Sequence, residues 1–233
     1  MAQKLSIEVV MVRLQKGNQL NQASLNKGPC SLGRKIMSMI TSLATSDNWD
    51  LLDTQKLEES EKVCAEFHLP LKDRFILVNI DTQRLHLLAS KLLIDSYPIS
   101  TALNGVGQKE GTGKTPLGLH FVAEKIGSQS DPFEIFKARK ATGEIAKADE
   151  GEKLIVGRIL WLQGVQPGFN QGNDLEGGLV DSRARYIYIH GTNDVANIGK
   201  PVSAGCVRMN PIDVVDLFEK VSERTPVYIY KND

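Results

Sequence analysis

Apolar residues change their spacing once along this chain, near Arg74. Before that point the spacing is helical. Ile36, Met37, Met39, Ile40, Leu43 and Ala44 form one helix-like stripe. A second helix is predicted from about Asp53 to Phe67, with Leu57, Val63, Cys64 and Phe67 among its apolar positions and Pro70 ending it. From Arg74 the runs are short and rich in strand formers. Phe75 to Ile80 is followed by a turn at Asp81 to Gln83 and then by Leu85 to Leu88. Leu92 to Thr101 comes next, where Pro98 predicts an edge or a bulge. Tight links between these runs predict an antiparallel meander. Leu117 to Ile126, Leu154 to Leu162, Tyr186 to Ile189 and Val227 to Tyr230 continue the strand pattern.

One helix interrupts the later strands. Asn210 is its predicted N-cap, Pro211 its first residue, and Asp213 a favourable anion in its first turn. Ile212, Val215, Leu217, Phe218 and Val221 are its expected packing face. The stretches from about Gly127 to Lys153 and from Gly164 to Asp181 are polar and Gly-rich and read as long loops.

Composition narrows the function classes. Lys plus Arg equals Asp plus Glu at 28 each, so no global field gathers nucleic acid or a membrane surface. No apolar stretch reaches the roughly 18–20 residues that span a bilayer. The opening MAQKLSIEVVMVRLQ lacks the apolar block of a secretory signal, so the sequence as given is expected in the cytoplasm. A periplasmic location would require an export signal removed from it. Cys30, Cys64 and Cys206 are too few and too scattered for a disulfide framework. Cys64 reads as a core residue, and Cys30 lies in a predicted loop without an assigned role.

Two familiar chemistries fit poorly. The run Gly105 to Thr115 looks like a phosphate loop, but counting back five from Gly113 gives Gln108 instead of glycine. Pro116 and Gly118 then stand where a phosphate-binding helix should begin, so the run reads as a mobile loop. His68, His86, His120 and His190 form no close pair with one another or with a cysteine, and neither a metal nor a cofactor is expected. His86 and His120 fall in predicted strands as satisfied sheet residues or surface residues, and His68 lies just past a helix end.

The informative stretch is Tyr186 to Asn193 and then Pro201 to Asn210. An apolar strand delivers His190 to its end, and Cys206 follows 16 positions later beside Gly205. A thiolate is favoured near a helix N-terminus, a cation or a histidine. Arg208, His190 and the helix after Asn210 could each supply that charge. Histidine has the intrinsic pKa to accept the thiol proton and return it to a leaving amine. Gly205 removes bulk where main-chain N–H groups could face an oxyanion, and Ser203 could add a hydroxyl. The Gly191 carbonyl is a candidate orienter for the imidazole.

The tract His190-Gly191-Thr192 through Ser203-Ala204-Gly205-Cys206-Val207-Arg208-Met209 resembles the signature of the L,D-transpeptidase catalytic domain family. Phe75 to Asp81, Tyr97 to Thr101 and Thr115-Pro116-Leu117-Gly118 resemble that domain's opening strands and its Thr-Pro-x-Gly turn. The resemblance covers about residues 73 to 231. It implies an α+β chain: a mostly antiparallel β catalytic domain, sandwich or barrel-like, over 73–233, with one helix after the nucleophile. The mainly helical N-terminal region that the apolar spacing predicts, 1–72, lies outside the resemblance and has no assigned role.

By position the resemblance makes Cys206 the nucleophile, His190 the base and Gly191 the orienter. Ser203, Gly205, Arg208, Thr192 and Asn193 would line the substrate and oxyanion side, with Arg208 a candidate for holding a substrate carboxylate. The implied substrate is a peptidoglycan stem tetrapeptide. Attack at the L-centre of diaminopimelate would expel D-alanine and leave a Cys acyl-enzyme. An amine from another stem would then form a 3→3 cross-link, and water would give L,D-carboxypeptidase activity instead, as in recycling. Family members are commonly acylated by carbapenems. Ala204 departs from the histidine that many relatives carry there. A non-catalytic module that binds wall peptides is the alternative of another class.

Overall fold

The computed structural model describes residues 54–69 and 74–232, all within one compact unit that spans Asn48–Asp233. The expected stripe at Ile36 to Ala44, Cys30 and Pro70 lie outside the described residues. Helix α1 covers Thr54–Glu66. Strands β1 (Phe75–Asn79), β2 (Arg84–Ala89) and β3 (Leu92–Ser100) form the meander, antiparallel throughout. β4 (Gly118–Ile126), β5 (Glu134–Lys137), β6 (Lys140–Ile145), β7 (Ile155–Gly164) and β8 (Tyr188–Thr192) follow. β9 (Val207–Met209), helix α2 (Pro211–Lys220) and β10 (Pro226–Tyr230) complete the described chain.

The sheet order is β4-β10-β1-β2-β3-β9-β8-β7-β5-β6, and β4 also pairs with β7. That extra pairing closes β4 through β7 into a barrel-like ring and leaves the β5–β6 hairpin as an appendage of β7. Closure removes the exposed edges that an open sheet presents. Pairing is antiparallel except for β1 with β10 and β8 with β9. Pro98 sits where β3 still has a free edge, since pairing with β9 begins only at Ile99.

Alternation along the strands sorts side chains to two faces. Ile76, Val78, Leu85, Leu87, Leu160, Leu162, Ile189, Val207, Met209 and Val227 point inward to one core, joined by Val214, Leu217 and Phe218 of α2. The outer face of β1, β2, β4 and β10 is covered by α1, where Cys64 packs with Leu77, Leu88, Leu119 and Tyr228. Glu59 accepts a hydrogen bond from the Tyr228 hydroxyl at 2.6 Å. Helix α1 lies on the N-terminal side of the expected boundary at residue 72, yet it packs directly on this sheet. The outer face of β7, β8 and β9 carries Ile159, Trp161, Tyr188 and Cys206.

Three expectations are corrected. The stretch Gly127 to Lys153 is not one long loop, because it contains the β5–β6 hairpin. The face of α2 is Pro211, Val214, Leu217 and Phe218, while Ile212 is exposed. Spacings of three and four from Pro211 select that face. Lastly, the run Gly105 to Thr115 is pinned: Arg185 donates to the carbonyls of Gly107, Gln108 and Lys114. His120 is buried and satisfied by the Gly118 carbonyl and the Ser182 hydroxyl. His86 is buried with no partner for either ring nitrogen among the described residues.

Candidate active site

Parallel pairing of β8 and β9 places the site. Ile189 is opposite Val207 and His190 opposite Arg208. One step back on both strands sets Cys206 beside Tyr188, whose main-chain N–H lies 3.4 Å from Sγ. Since Ile189, Val207 and Met209 point into the core, Tyr188, His190, Cys206 and Arg208 share the outer face. Cysteine and histidine are thus diagonal neighbours on adjacent strands. Gly191 is required where it stands: a Cβ there would come within 2.5 Å of the Val156 carbonyl and 3.0 Å of Val214 Cγ1.

His190 Nδ1 is 2.8 Å from the Gly191 carbonyl. A carbonyl only accepts, so Nδ1 carries the proton and Nε2 is left as the basic nitrogen. Burial lowers the His190 pKa to about 4, with the Gly191 carbonyl opposing and Arg208 adding to the shift. Burial also raises the Cys206 thiol above its ordinary value, against the Tyr188 N–H, Arg208 and Arg185, which pull it down. Both shifts favour the uncharged forms, and the Cys206 thiol donates to the Tyr186 carbonyl at 3.4 Å.

That result corrects the expected source of activation. Cys206 does not sit at a helix N-terminus: β9 stands between it and Asn210, whose side chain caps α2 by accepting from the Ile212 N–H. Three strand residues span roughly 10 Å, and the dipole effect fades within the first turn. Nor does His190 hold a resting positive charge. The cations that act on the thiol are Arg208 and Arg185. Sequence reasoning missed Arg185, which precedes the predicted strand and carries no motif.

The remaining predicted residues divide. Gly205 has φ +131, and a Cβ there would press within 3.3 Å of the Lys114 carbonyl. Its N–H is directed to Ser203 Oγ at 3.2 Å, and Ser203 in turn donates to the Cys206 carbonyl at 2.7 Å. The Ser203 hydroxyl thus braces the turn at Gly205–Cys206 from within. Thr192 Oγ1 accepts from the Asp194 N–H at 3.2 Å. Asn193 is buried and ties down the preceding loop through Leu154 N–H and the carbonyls of Glu150 and Glu152. Ser203, Thr192 and Asn193 are all buried and engaged in these internal bonds. Arg208 faces buried Asp194 at 3.7 Å, and Asp194 also holds Lys153 and Asn197. Ala204 is exposed beside the turn.

The Thr-Pro-x-Gly turn has a clear structural role. Thr115 Oγ1 accepts from Ala102 N–H and donates to the Gly205 carbonyl, both at 3.0 Å. Gly118 has φ +95, and a Cβ there would run into Gln166 Oε1. The turn thus fixes the main chain immediately before Cys206. Tyr188 and Trp161 add an aromatic wall, edge to face at 5.6 Å, and Tyr188 meets His190 at 6.4 Å. Among the described residues no group of three or more His, Cys, Asp or Glu is arranged to hold a metal. No helix among them is long and apolar enough to cross a membrane.

Comparison with known proteins identifies the family of this chain. The family model of the L,D-transpeptidase catalytic domain, YkuD, matches residues 73–229. The YkuD protein of Bacillus licheniformis is 37% identical over 90 residues, which are 38% of this chain and 49% of that protein. The YkuD protein of Bacillus subtilis is 54% identical over 41 residues, 18% of this chain and 25% of that protein. The chain therefore matches half or less of the length of these curated relatives. Among solved structures, an L,D-transpeptidase from Mycobacterium smegmatis aligns with TM-score 0.42 and 18% identity, over 68% of this chain and 58% of that one. L,D-transpeptidase 3 from Mycobacterium tuberculosis, in complex with a faropenem-derived adduct, aligns with TM-score 0.41 and 15% identity, over 67% and 60%. With the family model spanning most of its length, the chain belongs to the L,D-transpeptidase catalytic domain family.

Proposed function

We propose that this protein is a cysteine acyltransferase that acts on peptidoglycan stem tetrapeptides. Cys206 Sγ attacks the carbonyl at the L-centre of diaminopimelate as His190 Nε2 takes the thiol proton. The C–N bond to D-alanine then breaks, His190 returns the proton to the leaving amine, and a thioester remains on Cys206. An amine from a second stem attacks the thioester, passes its proton through His190, and yields a 3→3 cross-link with the thiol restored. The carrying observation is the pairing of His190 Nδ1 with the Gly191 carbonyl at 2.8 Å, on the face shared with Cys206. It commits the other nitrogen to proton transfer. A neutral resting pair suits this chemistry, because proton transfer accompanies attack.

The same thiol would open the lactam of a carbapenem and retain it as an adduct. Incubation with muropeptide tetrapeptides, read by mass, tests the reading. A cross-linked dimer plus D-alanine is expected, and Cys206→Ala should abolish both. Tripeptide plus D-alanine without dimer would make the protein an L,D-carboxypeptidase. Peptide binding with no product and no acylation would make it a binding module and overturn the proposal.

A further inference from the structure

The β5–β6 hairpin turns through Ala138 and Arg139, between the paired Lys137 and Lys140. Their φ values are 48° and 66°, so both occupy the left-handed region. A two-residue hairpin of this hand ordinarily uses Asn-Gly or Asp-Gly, because a Cβ is disfavoured at both positions. Here two side-chain-bearing residues hold it, and the second places its guanidinium on the catalytic face.

Arg139 Cζ lies 4.6 Å from the Trp161 ring centroid and 5.2 Å from that of Tyr186. Its Nη1 donates to the Tyr188 hydroxyl at 3.3 Å. Tyr188 thus links the two ends of the site, since its main-chain N–H meets Cys206 Sγ at 3.4 Å. A single tyrosine separates guanidinium from thiol. Arg139 makes no ion pair among the described residues, and Glu124, the carboxylate that acts on it at longer range, is paired with Arg183. The other guanidiniums of this region are engaged. Arg208 faces Asp194, Arg183 pairs with Glu124 at 3.2 Å, and Arg185 is spent on three main-chain carbonyls.

We infer that Arg139 is a carboxylate-binding subsite for the acyl-donor peptide, presented by the hairpin tip over the Trp161–Tyr186–Tyr188 wall. The inference rests on the proposed peptide substrate and replaces Arg208, expected from sequence to hold a carboxylate. With Nη1 donating to Tyr188, no hydrogen bond among the described residues engages the Nε and Nη2 side of the guanidinium, an edge that matches a carboxylate with two parallel hydrogen bonds. Stacking also fixes its orientation beforehand, which lowers the entropy lost on binding.

Arg139→Gln and Arg139→Lys test it, with the free-carboxylate tetrapeptide and its fully amidated counterpart as probes. For Arg139→Gln, KM for the free-carboxylate peptide should rise about tenfold with kcat within about threefold, and Arg139→Lys should recover part of the loss. The amidated peptide should not distinguish the variants, and iodoacetamide should alkylate Cys206 equally in all. Equal losses on both peptides, or an unchanged KM, would overturn the subsite. Turnover of neither peptide by the unaltered protein would instead sink the proposed reaction. Equilibrium binding to Cys206→Ala with and without Arg139→Gln then decides the subsite by itself. A tenfold weakening confined to the free-carboxylate peptide supports it, and no difference refutes it.

Discussion

Replacing Thr115 by valine isolates what the Thr-Pro-x-Gly turn does for the main chain at Cys206. The side chain is fully buried. Its hydroxyl accepts from Ala102 N–H and donates to the Gly205 carbonyl, each at 3.0 Å. Valine nearly preserves the shape and removes both bonds, leaving one buried donor and one buried acceptor without partners. Each costs about 1–3 kcal/mol, so Thr115→Val should lose about 2–6 kcal/mol. Against a typical total of about 5–15 kcal/mol, the loss would be plain in a urea titration, as a lower midpoint at unchanged slope. Thr115→Ser keeps the hydroxyl and should cost about 1 kcal/mol for the lost methyl. Because the Gly205 carbonyl immediately precedes Cys206, Thr115→Val should also slow alkylation of that thiol at denaturant-free conditions. A valine variant within about 0.5 kcal/mol of the parent, or a serine variant as weak as valine, would refute the reasoning.

Acid should destabilise the fold through its histidines. Burial lowers His86, His120 and His190 from 6.5 to about 4. The unfolded chain therefore binds protons first on acidification, so this stability is intact above about pH 6.5 and lost as pH falls toward about 4. Urea midpoints should drop across that window, and a flat profile from pH 7 to pH 5 would contradict it. Gly191→Ala should destabilise by about 1–3 kcal/mol, since its Cβ meets the Val156 carbonyl at 2.5 Å and backbone cannot yield cheaply. Calorimetry showing no loss would mean that β7 and β8 tolerate wider spacing.

Much of the fold was legible because local rules and tertiary context agreed. The cap at Asn210, the meander of β1 to β3 and the bounds of α1 follow from capping, alternation and helical period. The β5–β6 hairpin was not legible. Its turn is Ala138-Arg139 without glycine or asparagine, and β6 is exposed along its length, so neither turn chemistry nor alternation marks it. The pairing of β8 with β9 was hidden for another reason. β9 is three residues long, and a parallel partner reached across an irregular loop leaves no local trace. Without that register, sequence proximity alone places Cys206 next to the helix N-terminus, and the side-chain bonds of Ser203, Thr192 and Asn193 carry no signature. Ser203 and Thr192 make local side-chain bonds to the backbone, a preference that these residue types share, and Asn193 bonds to the backbone of the distant Glu150–Leu154 loop.

Intact-protein mass spectrometry after brief exposure to a stem tetrapeptide tests the central claim most directly. The account predicts a tripeptide adduct with loss of D-alanine, mapped by digestion to Cys206, absent in Cys206→Ala and strongly slowed in His190→Ala. Turnover that proceeds undiminished in Cys206→Ala, or an adduct mapped to any other residue, would contradict it.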